Sequence, residues 1–110
     1  MSTLQRAVLL DAIRLMASPA STQIQPVQAS ADEVALDWEN AWYVAEGLRQ
    51  DHIISMDVYE AITQINQELE AIGPADNFWS DEALRNDSRW ENLRTRAQAL
   101  LTQLPANPVV

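Results

Sequence analysis

The sequence has no cysteine, no lysine, one histidine and only two glycines. Without cysteine there is no disulfide framework, no thiol nucleophile and no zinc–thiolate site. The lone His52 has no Glu-x-x-His partner of the kind that builds di-iron sites in helical bundles. Gly47 and Gly73 are too few for a phosphate-cradling loop, and Asp76-Asn77 lacks the ligand spacing of a calcium loop. The serines fall at predicted helix caps, and no carboxylate pair stands apart from surface charge as an acid–base couple. The expectation is a protein that is not an enzyme, with no catalytic residue, no metal and no cofactor.

Long apolar runs are missing as well. Leu4–Met16 is broken by Asp11 and Arg14, so it suits neither a secretory leader nor a membrane span. A soluble, cytoplasmic protein that makes no membrane contact is expected. What is present is the composition of a folded chain: 47% apolar residues and four Trp in 110 residues, room for one domain with one modest core.

Charge is the most informative bulk property. The formal net charge is −9, and all seven cations are Arg. Residues 32–82 hold thirteen carboxylates against the single Arg49, a local net of −12, whereas residues 1–31 carry +1 and residues 83–110 carry +2. Such a field repels nucleic acid and anionic membrane and attracts a basic protein. Acidity of this size also simply keeps proteins soluble.

The apolar spacing predicts an all-α bundle of four to five helices with no strand. Leu4, Val8, Ala12 and Met16, with Leu9 and Ile13 beside them, mark a first helix over Thr3–Ala17. Residues 18–29 are rich in Ser, Thr, Gln and Pro and read as a linker or ordered arm. Ser30 and Glu33 have capping-box spacing and open a second helix with its stripe on Val34, Trp38, Ala41, Trp42, Ala45 and Leu48. Ser55 caps a third, with Val58, Ile62, Ile65, Leu69 and Ile72 inward and Gly73-Pro74 as its stop. The short joint over residues 51–54 makes these two an αα-hairpin. Ser80 caps a short piece holding Ala83 and Leu84. Ser88 and Glu91 form a second capping box, opening a last helix with Trp90, Leu93, Ala97, Leu100 and Leu104 inward. The four Trp and Phe78 are assigned to the core, and residues 105–110 to a frayed tail.

The second helix has an unusual outer face. At about 100° per residue, Asp32, Leu36, Glu39, Tyr43 and Glu46 fall within roughly 80° of one another, pointing away from the Trp38–Trp42 stripe. Leu36 and Tyr43 then form an apolar ridge bordered by carboxylates, which is how an interface anchor with a steering rim looks. The same pattern would arise if the first helix covered this face. Glu60, Gln64, Gln67 and Glu68 of the third helix are candidates to extend the acidic surface.

Several segments occur in a familiar order: Leu36-Asp37-Trp38-Glu39-Asn40-Ala41-Trp42, Ile53-Ile54-Ser55, Phe78-Trp79-Ser80-Asp81-Glu82-Ala83-Leu84 and Trp90-Glu91-Asn92-Leu93-Arg94. In these the chain resembles the small helical immunity proteins encoded beside polymorphic bacterial toxins, including those of contact-dependent growth inhibition. The resemblance spans the last two-thirds of the chain and leaves out the first helix and the linker. It implies a protein that neutralises one cognate toxin domain, often a nuclease, by occupying its basic cleft. It carries over no contact residues, because immunity surfaces diverge with their toxins. The alternative reading is a regulatory adaptor or assembly subunit that binds a basic cellular protein.

Overall fold

Apolar stripes repeating every three to four residues can leave water only by packing against one another, and the chain solves this with helices alone. A computed structural model describes residues 2–24 and 30–104. Among the described residues there are six α-helices and no strand: α1 (Ser2–Ala17), α2 (Ala20–Gln23), α3 (Ser30–Gln50), α4 (Met56–Ala71), α5 (Asp81–Asn86) and α6 (Ser88–Gln103), with a 3₁₀ turn at Asn77–Trp79. The expected tail at 105–110, residues 25–29 of the linker and the capping side chain of Ser30 lie outside the described residues.

Helices α3 and α4 form the expected antiparallel hairpin. Trp38 meets Ile62, Trp42 meets Thr63, and Arg49 lies over the Tyr59 ring. The joint closes in a Schellman-type turn: Ile53 N–H donates to the Leu48 carbonyl at 2.8 Å and His52 N–H to that of Arg49 at 3.0 Å. His52 takes the left-handed conformation (φ 62°) that glycine usually fills there. Ser55 then accepts from Val58 N–H at 3.1 Å and starts α4. At the other end Pro74, rather than a left-handed glycine, stops the helix, since no glycine has positive φ.

The predicted stripes form one core. The largest buried side chains are Trp38, Trp90 and Phe78, with Phe78 stacked on Trp90 at 4.3 Å between ring centroids. Helix α1 packs against both α3 and α6 and contributes Leu9, Ala12, Ile13 and Met16, so it is part of the core. Its stripe is rotated from the expected one, leaving Leu4 exposed. The last helix is capped by Asp87, which accepts from Arg89 N–H at 2.8 Å, and not by Ser88, which is already helical. A carboxylate at that position gains more from the helix dipole than a hydroxyl does.

The supposed linker contains structure. Pro19 presents its carbonyl to Thr22 and Gln23 N–H and so starts the four-residue α2. Its last residue, Gln23, is buried. The Gln23 amide donates to the Leu15 and Met16 carbonyls at the end of α1, at 3.0 and 3.1 Å. Its oxygen accepts from Nε and Nη2 of the buried Arg94 at 3.2 and 3.0 Å. Arg94 also donates to the Leu84 carbonyl of α5 and, at 3.2 Å, to Glu91. One clasp thus joins α1, α2, α5 and α6.

Gln23→Leu should therefore cost about 3 kcal/mol, because it leaves a buried guanidinium short of its acceptor. Thermal melting should fall by roughly 10 °C or more. The double variant with Arg94→Met should recover part of that loss, since charge and acceptor are removed together. A melting temperature unchanged by Gln23→Leu would show that the clasp holds nothing.

Candidate acidic interface on α3 and α4

Helix α3 turns its inner face to α1 and α4, and among the described residues no element lies over its outer one. Tyr43 is 65% exposed and Leu36 48%, so α1 does not cover this face. The five residues expected to act together nevertheless separate into two groups. Asp32, Leu36 and Glu39 line a cleft of about 240 Å³ against α4. Tyr43 and Glu46 lie further along the helix, toward the hairpin turn.

Tyr43 is not fully clear of the Trp stripe. Its ring leans on Trp42, with centroids 5.2 Å apart at 47°. Neighbouring helical residues are only about 100° apart, so Trp42, partly exposed, borders the outer face. Glu46 is also not a free rim charge. It pairs with Arg49, the single cation of the acidic segment, and accepts from Gln50 at 3.0 Å. The hydrogen bond from Arg49, with those from Tyr59 and Gln50, holds its carboxyl below the usual carboxylate range. Asp32 and Glu39 have no ion pair with any described residue.

The opposite wall of the cleft was not expected from sequence. Asn66 and Leu69 of α4 line it, together with Glu70 and Trp79. Asn66 is 2% exposed, and its Nδ2 donates to Glu70 Oε2 at 3.2 Å, which holds that carboxylate beside the opening. Glu68, one of the four residues expected to extend the acidic surface, instead faces α6 and pairs with Arg96 at 2.6 Å.

Trp79 reaches the cleft because the preceding turn is fastened down. Asp76 caps the 3₁₀ turn through Phe78 N–H at 2.8 Å. Arg89 bridges Asp76 at 2.9 Å and Asp87 at 2.7 Å, with its guanidinium 5.0 Å from the Phe78 ring centroid. These Arg89 bonds depress the carboxyl pKa values of both aspartates. Phe78 enters the core, while the indole of Trp79 donates to the Gly73 carbonyl at 2.9 Å and stands edge-on to Phe78. Trp79 is therefore a half-buried wall rather than the core plug expected.

No family model, curated protein or solved structure matches this chain. The chemistry must be read from the surface itself. Among the described residues no group of three or more His, Asp or Glu is placed to hold a metal ion. Among the same residues no helix is long and apolar enough to cross a membrane. Every indole N–H is engaged: Trp38 with the Ile62 carbonyl, Trp42 with Thr63, Trp79 with Gly73 and Trp90 with Phe78. What the arrangement offers is an apolar surface edged by carboxylates that lack cations.

The crowding of like charge has a measurable consequence. Burial raises the pKa of Asp37, and the nearby Glu33 and Asp11 raise it further. A raised folded-state pKa means that ionised Asp37 opposes folding at neutral pH and that protonation relieves it. Asp37→Asn should therefore melt at a higher temperature than the parent at pH 7. The gap should close as pH falls through the Asp37 pKa. Equal melting at pH 7, or a gap that widens in acid, would contradict this origin.

Proposed function

We propose that this protein is a stoichiometric inhibitor of the immunity type: it binds one cognate toxin domain, a nuclease with a basic substrate cleft, through the outer face of α3 and the adjoining edge of α4. The observation that carries this reading is the exposure of Leu36 and Tyr43 on a face where Asp32 and Glu39 stand without cations. Exposed large apolar side chains next to uncompensated charge fit an anchor with a steering rim. A local net charge of −12 over residues 32–82 matches a cleft built to hold a polyanion. The resemblance in the Trp-containing segments points the same way.

Co-expression tests the proposal. The C-terminal domain of a large secreted protein encoded beside this chain should arrest growth alone and be harmless when this protein is present. A neighbour that is not toxic, or toxicity undiminished by this protein in excess, would contradict it.

The surface then makes a graded prediction. Tyr43→Ala should weaken binding by about 2 kcal/mol, roughly thirtyfold in Kd, with a stability change within about 0.5 kcal/mol because the side chain is exposed. Glu39→Lys should slow association more than Glu46→Lys, since Glu46 is already neutralised by Arg49. The difference should shrink as salt is raised. Equal effects of the two reversals, or a Tyr43→Ala variant with a lowered melting temperature and full affinity, would move the contact elsewhere.

A further inference from the structure

The α3–α4 cleft is more specific than an acidic patch. Its lining includes Asp32, Glu39 and Glu70 and no cationic residue. Its apolar surface comes from Leu36 and Trp79, with Ala35 and Leu69 beneath. Asn66, almost fully buried, lines it too, and its Oδ1 accepts no hydrogen bond from a described residue, while its Nδ2 is engaged by Glu70. The larger hollow between α4 and α6, about 500 Å³, is different: it includes Arg89, whose charge is already met by Asp76 and Asp87.

We infer that this cleft is a receptor for one guanidinium group, the side chain of an arginine on the partner protein. The inference rests on the protein-binding reading above and names the chemistry of its central contact. A planar, weakly hydrated guanidinium can lie against the indole of Trp79 and the Leu36 side chain while its edge N–H groups point at acceptors. The acceptors present are carboxylates, which bind guanidinium in paired hydrogen bonds, and the Asn66 oxygen. An ammonium offers no flat face to these walls and gives up its water less readily. Trp79 is held for the purpose by its bond to Gly73 and by the Arg89 bridge behind it, so little side-chain freedom is lost on binding.

The test uses the whole chain and four small probes: N-acetyl-arginine amide, its uncharged isostere N-acetyl-citrulline amide, N-acetyl-lysine amide and N-acetyl-norleucine amide. Nuclear magnetic resonance at low salt follows the indole N–H of Trp79 and the side-chain amide of Asn66. The arginine probe should shift both signals saturably, with a Kd on the order of 1–10 mM. Citrulline, lysine and norleucine probes should each bind at least tenfold more weakly. Glu39→Gln and Glu70→Gln replace a half-buried and an exposed carboxylate by amides of the same shape and keep the fold. Each should weaken the arginine probe severalfold.

No saturation by about 100 mM, equal shifts with citrulline, or tighter binding of lysine would overturn the guanidinium assignment. Shifts confined to residues outside the cleft would do the same. The two levels of the proposal fail separately. A protein that neutralises a toxin while its cleft ignores the arginine probe refutes only this inference. A cleft that binds the probe in a protein that neutralises nothing supports the receptor and refutes the immunity role.

Discussion

The buried Arg94 guanidinium is the constraint around which the bundle is organised. A charge taken out of water must be met by acceptors on several sides, and here these are the Gln23 oxygen, the Leu84 carbonyl and Glu91. Gln23 can serve only because α2 brings it back under the end of α1, where its amide closes the Leu15 and Met16 carbonyls. Leu84 can serve only because α5 is folded against α6. Once those pieces are fixed, the turn before them is fixed as well, and with it Phe78 in the core and Trp79 at the cleft. A buried polar contact thereby helps to shape the cleft.

The distribution of cations follows the same logic. Arg94 is inside, Arg89 binds Asp76 and Asp87, Arg96 binds Glu68 and Arg49 binds Glu46. These arginines hold elements together, and none of them neutralises Asp32 or Glu39. Exposed pairs of this kind add little stability one by one, but their placement decides where the negative field stays uncompensated. It stays on the outer face of α3, beside Leu36 and Tyr43, where steering and apolar contact can act together. Asp37 lies off that face, and its pKa is raised first by burial and then by Glu33 and Asp11, so its ionised form works against folding.

Much of this was legible in the sequence, for local reasons. The helices of the hairpin follow from apolar spacing in Val34–Leu48 and Val58–Leu69, and the Ser55 and Ser80 caps from their positions just ahead of those patterns. The outer-face grouping of Asp32, Leu36, Glu39 and Tyr43 needed only the helical period. The features that were missed depend on contacts distant in the chain. Residues 20–23 look like linker because their composition is polar, yet Gln23 is buried through a partner 71 positions away. Arg94 sits in a run that reads as solvated, and nothing local marks it as interior. The cleft combines α3 with Asn66, Glu70 and Trp79, and only the packed hairpin and the fastened Asp76 turn bring them together. Asn66 and Glu70, four apart on α4, were the one available hint, and meaningless without knowing which side of α4 meets α3.

The central claim is that the outer face of α3, and not another surface, receives the partner. Hydroxyl-radical footprinting of side chains, with and without saturating partner, reads this directly, because it reports side-chain access rather than helical amide bonding. Leu36, Tyr43 and Trp79 should lose most of their oxidation in the complex, while the still more exposed Leu4 on α1 should keep its own. Protection of Leu4 with Tyr43 and Leu36 still fully oxidised would place the interface on α1 and contradict the acidic-face assignment.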